Sequence, residues 1–300
     1  MFGECHAHFF MNGYDYKEAV ATHREQIQDR CIRAWFEAYQ ANGVSFIRDG
    51  GDAYGVSKRA KELAPEYGID YRTPIFAIHK NGHYGGIVGF GFDNMKEYHR
   101  LVKKAMEEGA DFIKIMVSGI MDFHHFGVLT DTPLSREEIK EMIHIAHEEG
   151  MAVMAHANGN EAVLYAVEAG VDSIEHGNYL QEECLLAMAR SRAVWVPTLA
   201  TIGNLRGCNR YPREEVQKIY RRAARQLREG YGLGIHLALG SDAGAYLVGH
   251  GKGIVDEYHC FTEILGDSQQ LKERLQRGEE EIRSRFLRGF SDRSMRASIS

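Results

Sequence analysis

The sequence has no long apolar run, and it opens without a positively charged leader. No stretch approaches the roughly 20 apolar residues that a helix needs to cross a bilayer. The first ten residues, MFGECHAHFF, contain no Lys or Arg, whereas a secretory signal peptide begins with a basic segment. We therefore expect a cytoplasmic protein without a membrane partner.

Cysteine and positive charge are also scarce. The five cysteines follow no CxxC spacing, which is typical of a reduced, intracellular chain rather than of a disulfide framework. The net charge of −6 argues against a general nucleic-acid partner, because such proteins need a positive field to meet phosphates. No Pro/Ser-rich linker divides the 300 residues, so a single domain is expected.

One repeated unit organises the chain: a helix, usually a glycine, and a short apolar strand that ends in a polar residue. Gly is suited to the position after a helix because it adopts a left-handed backbone without a Cβ clash. Ser135 and Glu138 predict a capping box at the start of one helix. The helices are predicted at residues 17–42, 53–67, 95–108, 136–149, 160–169, 181–190 and 213–230.

Alternating strands and helices with short connections predict an α/β fold with a parallel sheet. About eight units in roughly 260 residues match the size of a closed (β/α)₈ TIM barrel. A doubly wound open sheet is the alternative, but HAHFF stands where such a fold usually carries a Gly-rich phosphate loop. We predict one domain over 1–300, with a barrel core at about 3–265 and a solvated helix and tail at 266–300.

Polar side chains close the predicted strands, at the end where barrel enzymes hold their catalytic groups. In the HAH motif, His6 and His8 are two apart on a strand, so both side chains point to one face. Each polar residue alone is explained most simply by a structural role, but independent structural histidines are not expected to converge. The residues predicted to meet are His6, His8, Lys114, His156, His176 and Asp242.

Lys114 is unusual because it lies inside the apolar strand DFIKIMV. Alternation places it on the same face as Phe112 and Met116, toward the interior of the barrel. An unpaired buried ammonium costs several kcal/mol, so the lysine must be paired, neutralised or modified. A buried ion pair with Asp49 or Asp242 is the alternative to a functional role.

The order of these residues resembles the binuclear branch of the amidohydrolase superfamily. The phrases that carry the resemblance are GADFIKIMVSG, MAHANG, GVDSIEHGNYL, LGSDAG and GHGKG, between about residues 3 and 265. They look most like hydrolases related to imidazolonepropionase and to Xaa-Arg and Xaa-Pro dipeptidases. Most relatives also carry a small β-sandwich. This chain begins almost at its first strand, so we expect that subdomain to be missing or much reduced, and a homo-oligomer could cover the face it leaves.

The resemblance implies a site for two divalent ions, with Lys114 carboxylated by CO₂ as the bridge between them. One ion would be held by His6, His8 and Asp242, and the other by His156 and His176. Imidazole and carboxylate ligands favour zinc, with manganese or iron as alternatives. The resemblance also implies that Asp242 acts as a general base and then as an acid.

The substrate side of the site is less defined. The resemblance implies that His83 contacts the substrate, and we expect Asn158 and His250 to line the pocket, although Asn158 departs from the Tyr or His that relatives often carry. The expected reaction is hydrolysis of a C–N amide bond by a metal-activated hydroxide, in a small peptide, an N-acyl amino acid or a cyclic amide. The alternatives are a lactonase or phosphotriesterase with the same ligands and, less favoured, a non-catalytic binding barrel.

Overall fold

The computed structural model describes residues 2–288, in which short strands alternate with helices. The strands are β1 (Glu4–Ala7), β2 (Phe46–Asp49), β3 (Asp70–Arg72), β4 (Ala77–Lys80), β5 (Gly89–Phe92), β6 (Ile113–Met116), β7 (Val153–Ala157), β8 (Ser173–His176), β9 (Val194–Val196) and β10 (His236–Leu237). The helices are α1 (Tyr16–Arg24), α2 (Asp29–Ala41), α3 (Val56–Leu63), α4 (Met95–Glu107), α5 (Arg136–Glu148), α6 (Asn160–Glu168), α7 (Glu182–Arg190), α8 (Ala200–Gly203), α9 (Arg213–Leu233), α10 (Lys252–Leu265) and α11 (Gln269–Arg285).

The strands form two parallel sheets, ordered β1-β2-β3 and β10-β9-β8-β7-β6-β4-β5. Backbone hydrogen bonds also connect β1 to the segment after β10. The Cys5 N–H donates to Leu239 O over 3.0 Å, and the Asp242 N–H donates to His6 O over 2.8 Å. The predicted α/β class with parallel strands is therefore confirmed.

The third predicted strand, in the segment IDYRTPIFAIH after the helix at 53–67, is divided in two. Ile75 has a φ of 68°, in the left-handed region that interrupts a strand. As a result β3 pairs with β2, whereas β4 pairs with β6 and with β5, an extra strand within the GGIVGFGF segment. The predicted helix at 17–42 is likewise two helices, because the backbone of Gln28 is extended and its N–H donates to His23 Nδ1 over 3.2 Å.

Helix α5 has the predicted start and buries one apolar face. The Ser135–Glu138 capping box is present at the start of α5. The apolar stripe of α5 is fully buried and consists of Ile139, Met142, Ile143 and Ala146. Within residues 2–288, every helix is too short or too polar to cross a membrane.

Helix α11 is packed against the strands, so the prediction of a solvated C-terminal helix is wrong for the residues described. Its Ile282 joins Phe286, Phe112 and Phe46 in a buried cluster at the amino ends of the strands. The guanidinium of Arg48 lies 4.4 Å from the Phe286 ring centroid. The predicted tail beyond residue 288 lies outside the described residues.

Replacing Gly278 should test this packing, because a Cβ there would lie 2.0 Å from Leu237 O on β10. We expect Gly278→Ala to lower the free energy of unfolding by about 1–3 kcal/mol through overpacking. Gly232 on α9 is the matched control, because a Cβ there meets no atom within 4 Å. Gly232→Ala should raise stability by up to about 1 kcal/mol. Urea unfolding midpoints measure the stability of both variants. Equal midpoints for Gly278→Ala and Gly232→Ala would contradict the packing of α11.

Candidate metal centre

All six predicted ligands lie on the wall of one cavity of about 560 Å³, at the carboxyl ends of the strands. His6, Lys114, His156 and His176 lie on β1, β6, β7 and β8. His8 immediately follows β1, and Asp242 follows β10 by five residues. The cavity-lining ligands are His6, His8, Lys114, His156, His176 and Asp242.

The first part of the site is a triangle of donor atoms. Asp242 Oδ1 lies 3.6 Å from His6 Nε2 and 3.5 Å from His8 Nε2. The two imidazole nitrogens are 3.4 Å apart. Ligands about 2.0–2.1 Å from a tetrahedral ion are separated by about 3.3–3.5 Å. The three atoms therefore fit one small divalent cation without rearrangement, and they form a cluster of metal-ligating side chains.

His156 and His176 form the second part of the site. Their ring centroids are 4.6 Å apart, and the ring of His176 lies 5.1 Å from that of His6. His176 Nδ1 lies 2.7 Å from Thr198 Oγ1, and His156 Nε2 lies 3.2 Å from Gly119 O. Each ring therefore has one nitrogen held by the scaffold and one left for a ligand.

Lys114 lies between these groups and is almost fully buried. Its Nζ has no hydrogen-bond partner within residues 2–288. No ion pair joins it to Asp49 or Asp242 in the described chain, so the structural alternative for this lysine is not formed. Burial lowers the pKa of Lys114 to about 8, which raises the fraction of neutral amine near pH 7, although the charged form still prevails there. An interior lysine without a hydrogen-bond partner therefore lies on the same cavity wall as four imidazoles.

A buried network behind the ligands was not predicted from the sequence. Glu175 Oε2 lies 2.8 Å from His6 Nδ1, and Arg48 donates to both oxygens of Glu175 over 2.8 and 3.0 Å. Ser173 Oγ lies 2.5 Å from Glu175 Oε1. A carboxylate on the remote nitrogen of a ligating imidazole fixes its tautomer and orientation. Glu175 thus directs His6 Nε2 into the cavity.

Backbone strain is concentrated at the site. His176, Thr198 and Asp242 have φ values of 69°, 52° and 60°, a region that non-glycine residues occupy at a cost. Adjacent residues on a regular strand point to opposite faces. The left-handed backbone at His176 breaks this alternation, so that Glu175 and His176 both face the interior.

The four imidazoles are held in their neutral form. Burial lowers the pKa of His8 and of His156 to about 3. Burial also places the pKa of His6 and of His176 well below the usual value. Neutral imidazole is the form that binds metal. Burial raises the pKa of Asp242, while the neighbouring Lys114 charge opposes that rise.

The remaining cavity wall is largely aromatic and aliphatic, with a few polar groups. Its apolar members include Tyr84, Met116, Phe123, Tyr211 and Tyr246. Lys17 and Arg210 also line it, and within residues 2–288 no carboxylate lies at ion-pair distance from either side chain. The guanidinium of Arg210 lies 4.3 Å from the Tyr246 ring centroid.

The three predicted substrate contacts are placed differently from one another. Asn158 lines the cavity, and its Oδ1 accepts a hydrogen bond from Asn178 Nδ2 over 2.9 Å. His83 and His250 are not among the cavity-lining residues. His83 is paired with Asp131 over 3.0 Å, and His250 is buried, with Nε2 2.9 Å from Met11 O.

Comparison with known proteins identifies the family of the chain. A family model described as the amidohydrolase family matches residues 2–259. The ochratoxinase of Aspergillus niger is 28% identical in an alignment of 238 residues that covers 66% of this chain and 47% of that protein. The crystal structure of A. niger ochratoxinase matches with a TM-score of 0.73 at 24% identity, over 91% of this chain and 68% of that chain.

A crystal structure of a Xaa-Pro dipeptidase with methionine bound in its active site matches with a TM-score of 0.69 at 21% identity, over 93% of this chain and 75% of that chain. The chain spans about half the length of the curated relatives it matches. Because the family model covers most of its residues, the chain belongs to the amidohydrolase family.

Proposed function

We propose that this chain is a metal-dependent hydrolase that cleaves the C–N bond of an amide. The observation that carries the proposal is the meeting of four neutral imidazoles, one carboxylate and one unpaired lysine on a single cavity wall. Family membership and the likeness to a structure described as a Xaa-Pro dipeptidase support the same reaction class.

We further propose that the two sheets form one closed (β/α)₈ barrel. The hydrogen bonds from Cys5 to Leu239 and from Asp242 to His6 support closure between the first and last strands. Away from that junction, the divided third strand supports closure because its first half, β3, pairs with β2 and its second half, β4, pairs with β6. Catalytic groups at the carboxyl ends of the strands are usual for this architecture.

The donor set suits two divalent cations, with zinc favoured by its imidazole and carboxylate ligands. We assign His6, His8 and Asp242 to one ion, and His156 and His176 to the other. Lys114 is proposed to bridge them as a carbamate. Its neutral Nζ would form a bond to the carbon of CO₂ and release a proton to solvent, which turns a costly buried amine into an anionic ligand.

When bound, such ions act as Lewis acids that lower the pKa of a water molecule and polarise a carbonyl. Asp242 supplies the proton transfer. Its carboxylate takes a proton from the attacking water and delivers that proton to the leaving nitrogen, as a base and then as an acid. Glu175 and Thr198 keep the ligand rings in place during this exchange.

The substrate is proposed to carry a carboxylate. Lys17 and Arg210 give the cavity wall two positive charges that form no ion pair in the described chain, whereas the carboxylate of Asp15, which also lines the cavity, caps α1 by accepting from the Lys17 N–H. The aromatic wall suits an apolar group. Among the candidate amides, a small peptide or an N-acyl amino acid fits these walls better than a neutral cyclic amide. Hydrolysis of lactones or aryl phosphotriesters, with no amide cleavage, would favour the alternative activity instead.

Lys114→Ala should remove most bound metal and nearly all hydrolysis, because the bridging ligand is lost. Elemental analysis of the purified protein measures the metal, and turnover of dipeptides and N-acyl amino acids measures the activity. Lys140→Ala, at an exposed position on α5, is the matched control and should change neither. Near-normal metal content in Lys114→Ala would rule out the bridge.

Asp242→Asn should keep the fold and lower kcat by about 10²–10⁴-fold, the usual contribution of a positioned acid–base group. Circular dichroism establishes the fold, and steady-state kinetics establish kcat. Asp267→Asn, at an exposed position outside the cavity, serves as the control. Turnover that survives in Asp242→Asn would assign the proton transfer to another group.

Arg210→Met should raise KM for an N-acyl amino acid by about 10–100-fold, the loss expected for one charge-assisted contact. The same variant should leave hydrolysis of the corresponding neutral carboxamide nearly unchanged. Arg213→Met, three residues away and outside the cavity lining, is the control. If KM rose equally for the charged and the neutral substrate, the proposed contact between Arg210 and a substrate carboxylate would be refuted. The proposed hydrolase activity would stand.

A further inference from the structure

Glu257, on α10, is a fully buried acid that the proposed reaction does not use. Its Oε2 accepts a hydrogen bond from the Ala200 N–H over 2.6 Å. Its Oε1 has no hydrogen-bond partner within residues 2–288. A buried acid with one unsatisfied oxygen is costly, so its retention behind the cavity requires a reason.

The segment that Glu257 holds is not stable by itself. Ala200 begins α8, a helix of four residues, which is far too short to persist without tertiary contacts. It follows Thr198, a β-branched residue whose φ of 52° is unfavourable. Helix α10 supplies the support, since a Cβ at Gly203 would lie 2.7 Å from Cys260 Sγ.

Thr198 connects this support to the metal centre. Its Oγ1 lies 2.7 Å from His176 Nδ1, so the other nitrogen of the ring, Nε2, is presented to the cavity. We propose that Glu257 is a positioning residue that acts through the Ala200 backbone and Thr198 to set the orientation and tautomer of His176. The ligand role of His176 rests on the proposed function, but the chain of contacts does not.

The contact requires a hydrogen-bond acceptor and no negative charge. Burial raises the pKa of Glu257 to about 8, although the hydrogen bond from Ala200 partly offsets the rise. Near pH 7 the side chain is therefore largely the neutral acid, whose carbonyl oxygen accepts from Ala200. A glutamine has the same length and also offers a carbonyl oxygen, so it should replace Glu257 in this role, whereas a methionine should not.

The test compares Glu257→Met with Glu257→Gln, and it uses Asp256→Ala as a matched control. Asp256 is the adjacent acid on α10 and contacts the far end of the same segment, where Asn204 Nδ2 donates to it over 3.0 Å. The direct readout is the imidazole ¹⁵N signals of His176 in protein stripped of metal, identified by their loss in His176→Gln. These signals report the tautomer without any ion. The second readout is the number and affinity of bound zinc ions.

Wild type, Glu257→Gln and Asp256→Ala should share one set of His176 signals. Glu257→Met should move these signals by several ppm. It should also lower the affinity for the zinc ion assigned to His156 and His176 by about 10–100-fold, as for loss of a residue that orients a ligand. Unchanged signals in folded Glu257→Met, or equal damage in Glu257→Gln, would overturn the inference.

A second pair of variants covers the case in which Glu257→Met does not fold. Thr198→Val should move the His176 signals and Thr198→Ser should not; unchanged signals in Thr198→Val would overturn the inference. A wild type that binds no zinc would refute the proposed function, and the His176 signals would still decide the role of Glu257.

Discussion

The site depends on one buried interaction, the contact of Glu175 with Arg48 and His6. An isolated carboxylate at this depth would cost several kcal/mol, and the guanidinium of Arg48 offsets that cost within a well-formed hydrogen-bond network. The pair connects β2 to β8, and its contact with His6 extends the connection to β1. The same carboxylate therefore balances an interior charge and orients a ligand.

Each of the four imidazole rings that are proposed as ligands follows the same rule, in which one nitrogen is held by the scaffold and the other faces the cavity. The four scaffold partners differ in chemistry: a carboxylate, two backbone carbonyls and a hydroxyl. They are Glu175 for His6, Gly51 O for His8, Gly119 O for His156 and Thr198 for His176. Because these partners come from different strands and loops, the orientation of the rings depends on the whole fold rather than on any one motif.

Much of this arrangement was predictable from periodicity. Alternation along DFIKIMV placed Lys114 on the interior face, and the structure puts Phe112 in the interior cluster and Met116 on the cavity wall. The same argument applied to FIRD and SIEH would have pointed Arg48 and Glu175 inward. Their pairing could not be predicted, because 127 positions separate them and only the folded chain brings these strands of two different sheets together.

Other features had no signal in the sequence. Ile75 and His176 have left-handed φ values although neither is a glycine, the residue that usually signals such a backbone. These values determine where the third predicted strand divides and that the His176 ring faces the interior. The burial of α11 was also missed, since its many charged residues conceal a narrow apolar stripe, and the ring of Phe286 that packs beside it lies just beyond the helix.

The supports of β1 have a consequence for the order of folding during synthesis. On one side, β1 is hydrogen-bonded to the segment that contains Leu239 and Ser241. Just before β1, the Gly3 N–H donates to Glu279 over 2.7 Å. The ribosome therefore releases the first ligand strand long before the segments that secure it exist. Such distant pairings slow folding and leave an unpaired edge exposed meanwhile. The newborn chain therefore carries β1 without these partners until residue 279 has been synthesised.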